Sequence, residues 1–350
     1  MTSQPPAVVD LRSDTVTRPG PAMRRAIAEA EVGDHVLGDD PTAAELERYA
    51  AELLGKERAL YFPSGIMANQ AALLVLAEPG TEVVIDALGH IFNYEEAAAS
   101  AWAGLQLRAV ATPDGLLTPE LLAAHIRPNS LYTPRSSLVC LENTHNSAGG
   151  KVLPLSQMQA LCETARAHGL QVHLDGARLP NAAAALELPL AALAAPADTV
   201  MVSLSKGLGA PVGSLLAGPA EPMERAWRVR RRLGGGMRQV GLLAAAALYA
   251  LRHNLQRLHE DHRRARWLAE GAGAVDGLAA PAPETNIVMI DLLDPRLTPE
   301  RLLAALTERG VWMTQFGPRR LRAVTHLDVD DAGVERAVAA LQDAVPVLRR

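Results

Sequence analysis

The strongest constraint on the fold is the alternation of short β-rich runs with longer helical patterns through the middle of the chain. Five runs predict strands: Glu82–Asp86, Leu138–Glu142, Gln171–Leu174, Thr199–Leu204 and Ser214–Ala217. Five segments predict helices: Ala43–Leu54, Met67–Ala77, Pro119–Ile126, Ser156–His168 and Met237–Leu251. This alternation predicts an α/β fold with a mostly parallel sheet that is covered by helices on both faces.

The pattern changes after residue 250, where the remaining elements predict a smaller α+β unit. These elements are a long charged helix over residues 252–271, a strand at Asn286–Ile290, a helix at Pro299–Arg309 and a final helix at Ala332–Leu348. A chain of 350 residues is long enough for two such units. We therefore expect a large domain over residues 1–250 and a small C-terminal domain over residues 251–350.

The net charge of the chain limits the classes of molecule that it is expected to bind. The chain has 34 basic and 39 acidic residues, a net charge of -5, which argues against a dedicated nucleic-acid binder. Five arginines cluster between Arg225 and Arg232. The cluster is typical of a helix with one solvated basic face, and binding of a phosphate-rich polymer is the alternative.

The sequence predicts a cytoplasmic protein without membrane contact. The N-terminus lacks the apolar core of a signal peptide, and the longest strongly apolar stretch, Val240–Leu251, is too short to span a bilayer. Cys140 and Cys162 stand alone, which predicts buried, reduced thiols. No residue spacing calls for a bound metal.

Reactive side chains follow four of the predicted strands. Asp175, Lys206 and His145 come just after three of them, and His90 follows the strand that ends at Asp86. Because ligands of parallel α/β sheets bind beyond the carboxyl ends of the strands, we expect these four side chains to share one site.

Lys206 and Asp175 together indicate a pyridoxal-phosphate site. Apolar neighbours such as Leu204 and Leu208 would desolvate the Lys206 amine and lower its pKa, and Schiff-base formation needs a neutral amine. A carboxylate such as Asp175 keeps the pyridine nitrogen of this cofactor protonated, so that the ring can accept electrons. Taken singly, an exposed loop lysine and a turn-capping aspartate are the alternatives, and the pair favours the cofactor site.

Four further features suit such a site. Ser64–Asn69 opens a helical pattern, and its small residues would let backbone N–H groups reach a phosphate. The loop from Gly234 to Arg238 is a second phosphate candidate, with a cation. His90 would stack on the cofactor ring, and Arg322 would hold a substrate carboxylate through a bidentate contact.

Seven strings in this sequence resemble the low-specificity L-threonine aldolase family. They are DLRSDTVTRP from Asp10, GDDPT from Gly38, ENTHN from Glu142, HLDGAR from His173, SLSKGLGAPVGSLLAG from Ser203, GGGMRQ from Gly234 and VTHLD from Val324. The matches cover nearly the whole chain, and the DGAR and SKGLGAPVGS strings are quite specific in combination.

The resemblance implies a fold-type-I pyridoxal-phosphate enzyme that cleaves L-threonine, L-allo-threonine and related β-hydroxy-α-amino acids to glycine and an aldehyde. It implies a homotetramer with active sites shared across dimer interfaces. The implied catalytic residues are Lys206, His90, His145 and Asp175. The implied cofactor-binding residues are Gly65, Ile66, His90, Asp175, Arg178, Lys206, Arg231 and Arg238. The implied substrate-binding residues are Ser13, His145, Arg178 and Arg322.

Two positions depart from the family pattern. Ile66 stands where the family commonly has a threonine, so only the backbone can bind the phosphate there. Leu37 precedes GDDPT where the family often has a tyrosine, which leaves the substrate preference open.

Alternatives stay open for the base and for the reaction. The base for the β-hydroxyl proton is His145, or a water held by the phosphate or by His90. The same fold also supports β-elimination, racemisation and transamination, each with its own product. A non-catalytic binding protein is a second alternative, and an intact Lys206 argues against it.

Overall fold

The computed structural model describes residues 8–350, and its strands form three sheets. The strands are β1 Val9–Asp10, β2 Arg58–Phe62, β3 Glu82–Asp86, β4 Gln106–Val110, β5 Ser136–Glu142, β6 Gln171–Asp175, β7 Thr199–Ser203, β8 Ser214–Gly218, β9 Leu278–Ala279, β10 Ile287–Leu292, β11 Val311–Trp312, β12 Thr314–Gln315 and β13 Arg320–Val324.

The helices connect and flank these strands. They are α1 Pro21–Ala28, α2 Pro41–Leu54, α3 Gly65–Leu76, α4 His90–Asn93, α5 Ala98–Ala103, α6 Pro119–His125, α7 Leu155–Ala167, α8 Leu179–Leu186, α9 Leu190–Ala194, α10 Ala220–Arg232, α11 Gly241–His253, α12 Leu258–Gly273, α13 Pro299–Glu308 and α14 Asp331–Leu348. A short 3-10 helix spans Asp14–Val16.

The large sheet has seven strands in the order β2-β8-β7-β6-β5-β3-β4. Strand β8 runs antiparallel to β2 and β7, and the other neighbouring pairs are parallel. The prediction of a mostly parallel α/β sheet is therefore confirmed. All five predicted strands are present, with ends that shift by at most two residues.

Helices cover both faces of the large sheet, as alternate strand residues show. Val84 and Val139 belong to one buried cluster, and Val83 and Leu138 belong to another on the opposite face. Successive strand residues point to opposite faces, so two faces need two sets of helices. Both cysteines are buried and free, as expected.

Local sequence explains where several helices begin. Thr118 precedes α6, and its hydroxyl accepts the N–H of Leu121, with Pro119 in the first turn. Asp40 caps α2 in the same way, through the N–H of Ala43. Each such cap satisfies a backbone donor that the helix leaves unpaired, worth about 1 kcal/mol.

Two predicted helices have wrong boundaries. The helix predicted from Met237 begins at Gly241, because the Gly241 N–H donates to Asp40 Oδ2 at 2.8 Å and a Cβ at this glycine would lie 2.5 Å from Asp40 Oδ1. The charged helix predicted over residues 252–271 is two elements. Helix α11 runs to His253, and α12 begins only after a turn in which the Asn254 amide donates to Leu208 O.

The small sheet has four antiparallel strands in the order β12-β13-β10-β9. It packs with α12, α13 and α14 around its own hydrophobic cluster. The N-terminal strand β1 joins this part of the molecule, because Val9 pairs with Val311 in a parallel two-stranded sheet. The boundary at residue 250 stays a prediction.

None of the helices in residues 8–350 combines the length and the apolar character needed to cross a membrane.

Candidate active site

The predicted reactive residues meet at one edge of the large sheet. Strands β7, β6, β5 and β3 are neighbours and parallel, so their carboxyl ends lie side by side. Lys206 and Asp175 both line a cavity of about 200 Å³ at this edge, together with His90. His145 lines a neighbouring pocket, which has His90 and Asp175 in common with this cavity.

Lys206 lies in an environment that favours a neutral amine. Desolvation by the surrounding protein lowers its pKa below the ordinary value, and the Arg178 guanidinium adds to the fall, while Asp14 and Asp175 oppose it without reversing it. The Lys206 carbonyl accepts a hydrogen bond from Thr17 Oγ1 at 3.0 Å. The backbone of the residue is thereby fixed while the side chain enters the cavity.

Asp175 is almost fully buried and is held by a network of hydrogen bonds. Its Oδ2 accepts from Asn69 Nδ2 at 2.9 Å, and its Oδ1 accepts from the Ala177 N–H at 3.0 Å. Asn69 Nδ2 also donates to Glu95 Oε1 at 2.8 Å. Asn69 Oδ1 lies 3.0 Å from His173 Nε2, and an amide oxygen can only accept, so His173 carries its proton on Nε2.

His173 is therefore a neutral support behind Asp175. Its Nδ1 lies 2.8 Å from Thr199 Oγ1, and this nitrogen accepts because Nε2 holds the proton. Burial lowers the pKa of His173 to about 4. The hydrogen bonds from Thr199 through His173 thus fix the orientation of the Asn69 amide. The amide in turn fixes the orientation of the Asp175 carboxylate.

His90 lies at the cavity wall and is paired with a buried carboxylate. Its Nδ1 is 3.0 Å from Glu95 Oε1. Burial lowers the pKa of His90, but the hydrogen bond to Glu95 and the charges of Asp175 and Glu95 outweigh it, so the pKa lies above the ordinary value. His90, Glu95 and Asp175 each offer an atom within 4.8 Å of the others, and the Asn69 amide hydrogens lie between the two carboxylates.

The start of helix α3 provides free donors beside this cavity. Ser64 caps the helix by accepting the Met67 N–H, which leaves the N–H groups of Gly65 and Ile66 without an acceptor in residues 8–350. Buried Ser214 Oγ, which also has no partner there, lies near Gly65. Unpaired N–H groups at a helix start suit a phosphate. The donor set, the carboxylate and the amine together fit pyridoxal phosphate.

A second cavity of about 260 Å³ adjoins Lys206 and is bordered by two arginines, Arg178 and Arg322, and by Ser13. Arg178 makes two hydrogen bonds of 2.8 Å to the carboxylate of Asp14. Burial lowers the pKa of Arg322, and the neighbouring Arg178 charge lowers it further. Buried Arg322 Nε has no hydrogen-bond partner among the described residues. The acceptors of Arg322 in residues 8–350 are an amide and a carbonyl oxygen, and a cation without a carboxylate partner in a cleft suits an anionic group of a ligand.

Comparisons with known proteins agree with this geometry. The beta-eliminating lyase family matches residues 10–295. The chain is 44% identical over 344 residues to low-specificity L-threonine aldolase 1 of Arabidopsis thaliana, covering 96% of each chain. It is 42% identical over 327 residues to the low specificity L-threonine aldolase of Escherichia coli K12, covering 92% of this chain and 95% of that one.

This chain belongs to the low-specificity L-threonine aldolase family. The resemblance seen in the seven sequence strings is thereby confirmed. The fold agrees as well: the structure of Leishmania major threonine aldolase superimposes with a TM-score of 0.82 at 22% identity, covering 95% of this chain and 98% of that one. The prediction of a fold-type-I architecture is confirmed.

His145 is buried, and its predicted role beside the substrate's β-hydroxyl stays a prediction. It is 1% exposed, its Nε2 lies 3.1 Å from Asp86 Oδ1, and its Nδ1 accepts the Ala148 N–H at 3.2 Å. Both ring nitrogens are thus occupied. His145 also does not border the cavity that contains Lys206 and the two arginines. It lines the neighbouring pocket together with His90 and Asp175, and its role as the base stays a prediction.

Arg231 and Arg238 border neither the Lys206 cavity nor the arginine cavity. Arg231 is exposed at the end of α10, and Arg238 donates to Asp34 at 2.9 Å. The basic cluster of Arg225–Arg232 lies on α10, where four of its five arginines are exposed and Arg230 is buried. Arg225 pairs with a glutamate one turn earlier, and buried Arg230 donates to Tyr61 O.

The two departures from the family pattern differ in their surroundings. Ile66 borders the Lys206 cavity, where its N–H is the group available to a ligand. Leu37 is 75% exposed and borders neither the Lys206 cavity nor the arginine cavity.

Several residues of the site escaped the sequence analysis. Asp14, Glu142 and Asn146 lie inside family strings that were recognised for their neighbours. The available signals were the charges of Asp14 and Glu142 and the position of Asn146 shortly after a strand. Asn69 and Glu95 had no such signal, because each meets Asp175 only through the packing of α3 and of the segment after α4 against the sheet.

Proposed function

We propose that this chain cleaves L-threonine, L-allo-threonine and related β-hydroxy-α-amino acids to glycine and an aldehyde, with pyridoxal 5'-phosphate as cofactor. The observation that carries the proposal is the convergence of Lys206 and Asp175 on one cavity at neighbouring strand ends. Membership of the aldolase family supports it. When bound, pyridoxal phosphate supplies a ring that accepts the electron pair released as the Cα–Cβ bond breaks.

Five residues at one edge of the large sheet would hold the cofactor. Lys206 would bind it covalently, since its lowered pKa makes the neutral amine available. Asp175 would hold the proton of the ring nitrogen, and His90 would cover one ring face. The free N–H groups of Gly65 and Ile66 would bind the phosphate. Arg231 and Arg238 of a second copy would add charge to that phosphate in a homotetramer.

The arginine cavity would orient the substrate. Arg178, Arg322 and Ser13 border it, and a substrate carboxylate held there places the rest of the amino acid against Lys206. A carboxylate fixed by these residues would also fix which bond at Cα is aligned for cleavage. Orientation by these residues thus selects Cα–Cβ cleavage over loss of the Cα proton.

The β-hydroxyl proton would leave through a water held by His90. The sequence favours His145 as this base, but both its ring nitrogens are occupied. His90 borders both cavities, and its Nδ1 is anchored by Glu95, which leaves Nε2 for a water. Glu95 would orient the ring, as a carboxylate does for many catalytic histidines.

The test uses the low lysine content of the chain, which has lysines only at positions 56, 151 and 206. Aldehyde release from L-threonine and L-allo-threonine is measured for the purified holoenzyme and for Lys206→Ala. The matched control is Lys151→Ala, because Lys151 pairs with Asp114 outside the Lys206 cavity. Borohydride reduction of the holoenzyme, followed by peptide mapping, should label Lys206 and neither of the other lysines.

The outcomes separate the reaction from the cofactor site. Release by the wild type and by Lys151→Ala, lost in Lys206→Ala, supports the whole proposal. Labelled Lys206 without aldehyde release would keep the cofactor site and reject the aldolase reaction. Ammonia with a keto acid would then indicate β-elimination, and an inverted stereocentre would indicate racemisation. We propose a cytoplasmic location, and no role in binding nucleic acid.

A further inference from the structure

Two arginines converge on a single side-chain oxygen in the proposed substrate cavity. Arg178 Nη1 donates to Asn146 Oδ1 at 3.0 Å, and Arg322 Nη1 donates to the same oxygen at 3.1 Å. An arginine has no acceptor, so the amide must present its oxygen to both guanidinium groups. One neutral oxygen therefore occupies the point at which two cations meet.

The charges around this point are unequal. Arg178 is neutralised by two hydrogen bonds to buried Asp14. Arg322 has no salt-bridge partner in the part of the chain that the structure describes, and its acceptors there are the Asn146 amide and the Arg12 carbonyl. The cluster thus carries one uncompensated positive charge, and a carboxylate would satisfy it better than an amide can.

The loop around Asn146 is fixed through its backbone. The Asn146 N–H donates to Glu142 Oε1 at 2.8 Å, and its carbonyl accepts the Gly149 N–H at 3.2 Å. Buried His145 ties the same loop to β3 through Asp86 and to Ala148. Within residues 8–350 the Asn146 side chain is held only by its contacts with the two arginines, so the amide can yield its place while the loop stays in position.

We propose that Asn146 is a built-in neutral competitor of the substrate carboxylate. Without substrate, its amide oxygen holds the two guanidinium groups together against their mutual repulsion. A carboxylate displaces the amide because it adds the missing negative charge. Asn146 is thus a positioning residue that sets the affinity for the carboxylate. This inference rests on the proposed function, since it takes the arginine cavity as the carboxylate site.

Competition of this kind predicts an ordered series of variants. A tethered competitor acts at a high effective concentration, so removing it in Asn146→Ala should tighten carboxylate binding by about 3- to 10-fold. Asn146→Asp keeps the size of the side chain but supplies the charge from within, so it should weaken binding by about 100-fold, roughly the effect of losing a charge-assisted contact. An amide that merely supported the loop would weaken binding in both variants.

The experiment is calorimetric titration of each holoenzyme with acetate and, separately, with glycine. Acetate has a carboxylate but no amine, so its binding reports on the arginines without chemistry at Lys206. The matched control is Asn129→Asp, which adds the same charge on an exposed loop and should leave both Kd values within twofold of the wild type. Separate values of KM and kcat for L-threonine give a second readout, since the series should move KM and leave kcat nearly constant.

Each outcome has a separate meaning. Affinity that falls in the order Asn146→Ala, wild type, Asn146→Asp supports the inference. Equal affinities in the three proteins, or weaker binding in Asn146→Ala, would overturn it while leaving the carboxylate site intact. If Asn146→Asp fails to fold, the carboxylate affinity of Asn146→Ala tests the inference by itself. A wild type that binds neither acetate nor glycine would instead reject the arginine cavity as the carboxylate site.

Discussion

Replacing Asp14 by asparagine should destabilise the fold strongly, although the two side chains have the same size. Asp14 is 0% exposed and Arg178 is 4% exposed, and two hydrogen bonds of 2.8 Å join them. The amide introduced by Asp14→Asn would face the guanidinium with an NH₂ group in place of one acceptor, and would leave a buried cation without its counter-charge. Removing one partner of a buried ion pair costs about 3–5 kcal/mol.

The assay is urea unfolding at neutral pH, followed by fluorescence. For a chain of this size, with a urea dependence of about 3 kcal/mol per molar, the midpoint of the transition should fall by about 1–2 M. Asp10→Asn is the matched control. Asp10 makes a similar two-bond pair with Arg12, but that pair lies at the surface, and exposed pairs contribute only about 0.2–1 kcal/mol.

A double-mutant cycle with Arg178→Met isolates the pair itself. If burial makes the pair costly to break, each single variant should be strongly destabilised and the double variant should recover part of the loss, because no uncompensated charge remains. A midpoint for Asp14→Asn equal to that for Asp10→Asn would refute the reasoning, since burial would then have added nothing.

The other predictions concern the two buried histidines. Burial gives His173 a pKa of about 4 in the folded chain, against about 6.5 in the unfolded chain. Between these pH values the unfolded chain binds more protons than the folded chain. The free energy of unfolding should therefore fall by up to about 3 kcal/mol as the pH drops from 6.5 to 4. His173→Gln should remove most of that difference in parallel urea titrations, and an unchanged pH dependence would contradict the assignment. Because both ring nitrogens of His145 already have partners, His145→Asn should lower kcat for L-threonine by less than about tenfold. Loss of a general base costs about 100-fold or more. A fall of that larger size would identify His145 as the base.

The sheet and the cofactor end of the site could be predicted because both depend on local sequence. Gln171–Leu174 alternates polar and apolar residues and is followed directly by Asp175, so the pattern gives both the strand and the position of Asp175. Lys206 could be found for the same reason. The family strings then added Arg178 and Arg322, whose roles no local pattern reveals.

What could not be predicted depends on contacts between distant segments. Gly241 begins a helix because Asp40, 201 positions earlier, approaches it closely. Asn69 reaches Asp175 across 106 positions, and Glu95 joins them from a third segment. The same limit applies to His145: sequence spacing places it after a strand, but its hydrogen bonds to Asp86 and Ala148 decide which way the ring points.

The pairing of β1 with β11 has a consequence for the order of assembly during synthesis. Val9 cannot pair with Val311 until about 300 further residues have been synthesised, which takes roughly 15–60 s on a ribosome. Asp14 lies five residues after Val9. The segment that places Asp14 beside Arg178 is therefore fixed only after β11 has been made. A nascent chain that stops before Val311 contains Lys206, Asp175 and Arg178 and yet lacks the strand on which that segment is held. The appearance of activity therefore reports that the whole chain has been translated.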